Sequence, residues 1–283
     1  MLKHYRPFFS ILLAIFSTFT STFKVHAEDN LNPPVAPVIE EAWVAYATAN
    51  YFSLLEVTIA SVHAFSTRPI VAVGVNDDIP FSTEKYPRLI KKRINVDLQA
   101  RPAYVYKPQA LLEANVTKGI YIDADAILNR GCDELFNHCA LVNDHPLCPV
   151  HEDEAPVAYA TMEFFGIAQR SMHYVHADLI VFSSKCLPFI THWHNTCMDH
   201  CYLGNPCWDE TLLNVLLWKQ GATDQLFRCD PYNAYIDRYL ALDPSEDNQP
   251  PYNHWFVFHG NKDPQRGWNM LRSLQERANQ SRL

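Results

Sequence analysis

The sequence predicts an α/β fold in which a sheet, largely parallel in its first half, is flanked by helices within a single domain. Nearly unbroken apolar runs at 42–47, 70–76 and 119–122 alternate with stretches whose apolar residues recur at helical spacing. Such runs are typical of strands covered on both faces, and their alternation with helices is typical of βαβ units. No internal repeat and no low-complexity tract interrupts the pattern, so we expect one domain.

The first half of the chain supplies the repeating strand and helix pattern. Apolar residues at helical spacing over 54–65 predict the first helix, which ends at Arg68-Pro69. Residues 83–92 are predicted as a loop or a helix. Pro108 suits the first turn of a helix that runs to about Asn115. The strands predicted here are 42–47, 70–76, 93–96 and 119–122.

The second half of the chain is less regular and richer in loops. Leu187 to Cys201 is predicted as a helix. Trp208-Asp209-Glu210 opens a helix that Gly221 ends, and the acidic start of that helix suits its dipole. Capping is therefore the simplest interpretation of these two acids. The remaining predicted elements are strands at 178–182 and 254–258 and a last helix from about Trp268.

The N-terminus has the pattern of a secretory signal. Lys3, His4 and Arg6 precede an uncharged run at 7–23, and the small residues a signal peptidase reads occur at 25–27. The run is shorter than the roughly 20 apolar residues of a spanning helix, so a retained signal anchor is the second choice. We expect a signal peptide at 1–27, a linker at 28–40 and a domain at 41–283 in a secreted, lumenal or periplasmic protein of the secretory pathway.

Charge limits the classes of partner. The chain has 31 acidic and 23 basic residues, a formal net charge of −8. This balance argues against nucleic acid as a partner, and against strong membrane binding beyond the possible N-terminal anchor. An acidic protein that binds a diphosphate needs a metal or a few well-placed cations.

The cysteines allow two predictions. In a chain with a secretory signal they predict disulfides, whose pairing the sequence does not determine. A zinc site is the alternative, because Cys and His residues crowd 192–207, although their spacing is not that of a zinc finger. The eight cysteines are Cys132, Cys139, Cys148, Cys186, Cys197, Cys201, Cys207 and Cys229. The other zinc candidates are His192, His194 and His200.

The strand at 119–122 runs directly into two carboxylates, Asp123 and Asp125. Residues two apart on a strand project from the same face, so the pair shares one side if the extended backbone persists. Two carboxylates suit a divalent cation such as Mn²⁺ or Mg²⁺, which completes its shell with phosphates and water. A turn in which Asp caps the next element is the alternative.

Five segments, taken in order, resemble the motifs of nucleotide-sugar glycosyltransferases of the GT-A fold, and most closely the glycogenin-like, family-8 type. That family has a lysine about one helix before its Asp-x-Asp strand, as at 106–111 and 122–125 here. An Asn-Ala-Gly strand start and an Asp-Gln helix start correspond to 176–178 and 209–214. A terminal His with a nearby Gly and Lys corresponds to 259–262.

The resemblance implies a Rossmann-like mixed sheet flanked by helices, with 41–130 as the nucleotide-binding half and 131–283 as the acceptor half. It implies metal-dependent transfer of a sugar from a nucleotide diphosphate donor, a UDP-sugar, with retention. The metal ligands would be Asp123, Asp125 and His259. The donor-binding residues would be Ala47, Thr48, Ala49, Tyr51, Lys107, Asp123, Ala124, Asp125, Gly260 and Lys262.

The carboxylate that faces the sugar is predicted to be Asp209, with Glu210 next to it. Inverting transferases need a general base in line with the acceptor hydroxyl, and Asp178, Asp209 and Glu210 are all candidates for it. The sequence therefore leaves the stereochemistry open. It leaves the donor sugar open as well, and the acceptor can be a glycan, a protein, a lipid or a small molecule.

Two other functions remain as alternatives. A secreted nucleotide-sugar or glycan-binding protein would keep the fold without turnover. An Asp-x-Asp phosphohydrolase normally has the motif on its first strand and continues to Thr. Here the motif follows about the fourth strand and continues to Ala126-Ile127, which disfavours that class.

Overall fold

A five-stranded mixed sheet forms the centre of the molecule, with smaller sheets beside it. The computed structural model describes residues 39–151, 162–168, 174–203, 208–221, 227–228, 233–235 and 256–280, which belong to one compact unit. The strands are β1 Ile39–Ala47, β2 Ile70–Val75, β3 Leu89–Ile94, β4 Val116–Ile122, β5 Ile127–Leu128, β6 Pro149–His151, β7 Tyr174–Val175, β8 Leu179–Ser183, β9 Phe227–Arg228, β10 Asn233–Tyr235 and β11 Val257–His259. The α-helices are α1 Phe52–Phe65, α2 Lys107–Ala114, α3 Leu187–His200, α4 Asp209–Gln220 and α5 Pro264–Gln280.

The central sheet has the order β3-β2-β1-β4-β8. Its first four strands are parallel and β8 is antiparallel to β4, as the mixed-sheet prediction requires. β2 and β8 are buried along their whole length, because their apolar side chains are covered on both faces. The carboxyl ends of β1, β2 and β4 lie at one edge of the sheet, where ligands of such sheets bind.

One strand of the sheet differs from the prediction. The predicted strand at 93–96 is wrong in its bounds, because β3 begins at Leu89, within the predicted loop or helix. Leu89 and Ile94 are buried at its ends, whereas Lys91 and Arg93 are exposed between them. The basic residues are therefore the solvated face of an edge strand, a use of lysine that is typical of sheet edges.

Two small sheets complete the fold, with orders β10-β11-β5 and β7-β6-β9. In the first, β11 runs antiparallel to β5, with Phe258 opposite Ile127. This pairing brings His259, the last residue of β11, beside the segment that follows the Asp pair. Around the sheets, α1 packs against α5 and α2 packs against α3.

The six described cysteines are buried, and no disulfide joins any two of them. The predicted disulfides therefore do not form among them, and Cys207 and Cys229 lie outside the described residues. Each described cysteine packs as a small apolar side chain. Burial raises the pKa of the Cys186 thiol to about 11. Within the described ranges no group of three or more His, Cys, Asp or Glu side chains is placed to hold a metal ion, so the structure gives no support to the zinc alternative.

The N-terminal predictions fall mostly outside the structure. The signal peptide predicted at 1–27 and the linker residues up to 38 lie outside the described residues, so location in the secretory pathway stays a prediction. The first described strand, β1, begins at Ile39, two residues before the predicted start of the domain. Of the helices described here, none is both long enough and apolar enough to cross a membrane.

Candidate active site

The two aspartates lie on a turn. β4 ends at Ile122, and the Ala126 N–H donates to the Asp123 carbonyl at 3.0 Å. The extended backbone therefore does not persist through Asp123 and Asp125. The pair is nevertheless close enough for the charge of Asp123 to act on Asp125.

A hydroxyl from helix α1 holds this turn. Thr58 Oγ1 is fully buried and lies 2.8 Å from the Ala124 carbonyl and 2.7 Å from the Ala126 carbonyl. Its single proton donates to one of these two carbonyls at a time. One helical turn on, Ser61 Oγ accepts from the Leu128 N–H at 3.0 Å. In the sequence, Thr58 is one residue of the helix predicted over 54–65. The sequence signal for this role is the pair of hydroxyl residues, Thr58 and Ser61, three positions apart on an otherwise apolar helix face.

Lys107, at the start of α2, is the buried cation of the site. It is 7% exposed, and its Nζ donates to the Ala177 carbonyl at 2.8 Å. Nζ also lies 3.2 Å from Asp123 Oδ1 and 3.5 Å from Asp209 Oδ2. Burial alone would lower the pKa of Lys107, but the two carboxylates hold it well above the ordinary value. The lysine is therefore charged, and it joins two of the predicted acids.

The two acids that open α4 turn into the site. Asp209 is 4% exposed, and Glu210 Oε2 accepts from the Ala177 N–H at 2.9 Å. Both acids lie in the first turn of α4. Burial raises the pKa of Asp209, and Lys107 limits that rise. Burial also raises the pKa of Glu210. His176 limits that rise, since its Nδ1 lies 3.8 Å from the Glu210 carboxylate.

Asn214, one turn further along α4, fixes the segment that these acids contact. Its side chain is fully buried and pairs with both backbone groups of Val175, each at 2.8 Å. Asn214 thereby holds β7 against α4. The position of Ala177, which bonds to both Lys107 and Glu210, follows from this anchor two residues earlier.

Asp178 and His259 form a buried pair. Asp178 Oδ2 lies 2.8 Å from His259 Nδ1, and the Asp178 carbonyl accepts from the Asp123 N–H at 3.1 Å. Burial would lower the pKa of His259, but the Asp178 carboxylate raises it overall. The structure thus places Asp178, a predicted general-base candidate, against the imidazole.

Asp125 is the most crowded carboxylate of the site. Burial and then the charge of Asp123 raise its pKa to about 6, opposed by His259 and by a hydrogen bond from the Gly260 N–H. Gly260 has φ = 80°, a conformation that glycine adopts without strain, and this conformation aims its N–H at the carboxylate. The backbone of Asn261 adds a bond to the Asp125 carbonyl at 3.3 Å.

The fold matches solved structures, although no protein-family profile and no curated protein matches the sequence. A structure of the galactosyltransferase LgtC, in complex with donor and acceptor sugar analogues, has a TM-score of 0.53 at 16% identity and covers 82% of this chain and 95% of that one. An active-site variant of LgtC gives a TM-score of 0.54 at 16% identity, with the same shares. The bifunctional glycosyltransferase WbbM has a TM-score of 0.51 at 14% identity, and the match covers 82% of this chain and 47% of WbbM.

The chain has the GT-A fold. The fold resemblance inferred from the five segments is thereby confirmed, and residues from all five segments meet in one cluster. The GT-A sheet supplies Asp123 after β4, and the helices supply Lys107 and Asp209. The turn between β7 and β8 supplies Asp178, and β11 supplies His259.

The remaining predicted residues lie around this cluster. Thr48 follows β1, the neighbour of β4 in the GT-A sheet, and a short 3-10 helix, Ala49–Tyr51, continues from it. Ala47 is buried, whereas the Tyr51 ring is exposed. Ala124 is buried, and Lys262 is exposed beyond β11. The predicted donor-binding residues at 47–51 and the two aspartates after β4 therefore follow adjacent strands.

Proposed function

We propose that this protein transfers a sugar from a UDP-sugar to an acceptor with the help of Mn²⁺ or Mg²⁺. The observation that carries the proposal is the buried ion-paired cluster of Lys107, Asp123 and Asp209 at the carboxyl end of the sheet. The fold supports it, since LgtC, which shares the fold, is described with donor and acceptor sugar analogues. Retention of configuration stays a prediction from the resemblance.

The side-chain types at the site suit a divalent cation, although in the described structure they are not grouped closely enough to hold one. Asp123, Asp125 and His259 offer hard oxygens and an imidazole, a donor set that suits Mn²⁺ or Mg²⁺. Metal-ligating histidines typically donate one ring N–H to a carboxylate that fixes the ring, and the 2.8 Å pairing of Nδ1 with Asp178 matches this. We therefore assign Asp178 to the orientation of His259. When bound, the ion stabilises the negative charge that develops on the departing diphosphate.

Lys107 has a different task from the one the resemblance implied. The lysine is turned inward to two carboxylates and a carbonyl, so we assign it to pairing with Asp123 and Asp209 and holding them in place. A fixed carboxylate in a water-poor site stabilises positive charge far better than one in water. Asp209 would thus face the oxocarbenium-like sugar carbon, and Glu210 would hold the backbone beside it.

UDP release from a panel of UDP-sugars tests the proposal, with the mature protein in the presence of Mn²⁺, Mg²⁺ or EDTA. We expect EDTA and Asp125→Ala each to lower the rate at least a hundredfold, because they remove charge stabilisation that acts in the transition state. Asp78→Ala is the matched control, since Asp78 is an exposed acid paired only with Arg93 among the described contacts.

The outcomes separate the functions. UDP release that persists at full rate in EDTA and in Asp125→Ala would exclude the metal-dependent mechanism. Binding of UDP without release from any donor would indicate a nucleotide-sugar-binding protein that shares the fold.

A further inference from the structure

The start of helix α4 carries an exposed tryptophan beside the buried carboxylates. Trp208 is 58% exposed, whereas the next residue, Asp209, is buried against Lys107. The indole stacks on Tyr104, with ring centroids 4.9 Å apart and ring planes 21° apart. Tyr104 precedes Lys107 by three residues. The stacked pair therefore lies just outside the ion pair, where the starts of α2 and α4 meet.

The helix itself gives no reason for this tryptophan. Trp208 occupies the N-cap position of α4 and makes no side-chain capping bond, although Ser, Thr, Asp and Asn are strongly preferred there. A large exposed aromatic side chain also leaves apolar surface in contact with water, which does not stabilise the fold. A position that departs from both local preferences is typical of a functional site.

We propose that Trp208 and Tyr104 form an acceptor platform on which the ring of a carbohydrate acceptor stacks. This inference rests on the proposed function. One face of the indole is covered by Tyr104, and the polar edges of both rings suit a ligand with an apolar face and a rim of hydroxyls. Asp209, the next residue, places a carboxylate close to where such hydroxyls would lie.

The surrounding surface favours an oligosaccharide. Tyr202 and Leu203 are 55% and 54% exposed, and the Leu203 N–H donates to the Ala100 carbonyl at 3.1 Å, on the loop that leads to Tyr104. Two further exposed apolar side chains therefore lie beside the loop that leads to Tyr104, as expected of a binding surface longer than one sugar ring. The acidic chain disfavours an anionic lipid surface as the occupant.

Transfer kinetics test the platform with lactose, cellobiose, maltose and chitobiose as acceptors and the best UDP-sugar as donor. We expect Trp208→Ala to raise the acceptor KM about tenfold, as loss of one stacking contact predicts, while the donor KM changes less than twofold. Trp208→Phe keeps a ring and should recover most of the affinity. Leu141→Ala is the control, since Leu141 is 61% exposed at the end of a 3-10 helix after β5.

A second variant separates binding from folding. Trp208→Ser exchanges the ring stack for a capping hydroxyl, so its Tm should stay within about 2 °C of wild type while the acceptor KM rises as in Trp208→Ala. Saturation-transfer NMR of the same saccharides requires no turnover, and it should lose its signal in both variants.

Several results would overturn the platform. These are an unchanged acceptor KM in Trp208→Ala, a larger rise in donor KM than in acceptor KM, or saccharides that neither accept sugar nor bind while UDP-sugar is still hydrolysed. Preference for a peptide or a lipid over every saccharide would also overturn it. If no UDP-sugar is turned over but saccharides bind through Trp208, the proposed function fails and the platform stands.

Discussion

Lys107→Met should destabilise the protein strongly, because it leaves a buried carboxylate without its counter-charge. At an effective dielectric constant of about 20, charges 3.2 Å and 3.5 Å apart attract by about 5 kcal/mol each. These attractions offset a desolvation cost of several kcal/mol for each buried ion. Asp123 is partly exposed and can rehydrate, whereas Asp209, 4% exposed, cannot. We therefore expect a loss of about 3–5 kcal/mol, mostly from Asp209, or roughly 10 °C in Tm.

Urea unfolding of Lys107→Met, Asp209→Asn and the double variant measures this loss. The double variant should recover at least half of it, because the second change removes the stranded charge. Lys118→Met is the control, since Lys118 pairs with Glu41 at the surface and should change little. A Lys107→Met protein as stable as wild type, or a double variant no more stable than Lys107→Met, would refute the pairing.

The sign of the pH dependence gives an independent check on the same variant. Without Lys107, burial acts unopposed and raises the pKa of Asp209 further above its unfolded value. An acid with a raised folded-state pKa contributes its stability below the unfolded pKa and loses it as pH rises through the folded one. The gap between Lys107→Met and wild type should therefore be small near pH 4 and grow towards pH 8. A gap that stays constant with pH would mean that Asp209 is not the stranded group.

Three further predictions concern the fold and the Asp turn. Thr58→Val should cost about 1–3 kcal/mol in urea unfolding and raise the donor KM, because it frees the turn, whereas Thr58→Ser should retain both. Gly119→Ala should cost about 1–3 kcal/mol by calorimetry, because its Cβ would lie 2.3 Å from the Phe182 ring, and Phe182→Leu should relieve part of that cost. The hydrogen bond from Lys118 lowers the pKa of Glu41, so stability should be lost as pH falls through the lowered pKa, and Glu41→Gln should reduce that loss in urea titrations between pH 6 and 3.

The sequence predicted the central sheet well where strands are buried on both faces. The runs at 70–76 and 119–122 became β2 and β4, since a continuous apolar run of that length has few other stable positions. The prediction failed at β3, because only the two ends of this edge strand are buried and basic residues lie between them. The last helix also begins at Pro264, four residues before the predicted start, since proline suits a first helical turn.

The candidate site was predicted residue by residue but not as an arrangement. Asp123 was singled out by its position at a strand end, and Asp209 and His259 were singled out by the resemblance to the glycosyltransferase family. Their partners depend on contacts between distant parts of the chain, which periodicity does not encode. Thr58, which holds the Asp turn, and Asn214, which anchors β7, were missed in these roles because each resembles an ordinary helix residue.

The position of Lys107 shows why the arrangement matters for chemistry. A lysine one helix before the Asp pair suggests a cation that reaches the donor, yet its Nζ is committed to Ala177, Asp123 and Asp209. Two carboxylates are thereby paired and oriented by the protein alone. A donor that binds there would need little reorganisation of these charges, and preorganised charge is what lowers a barrier in which charge develops. The cost is a buried ion cluster that contributes little net stability, which is a common compromise at a functional site.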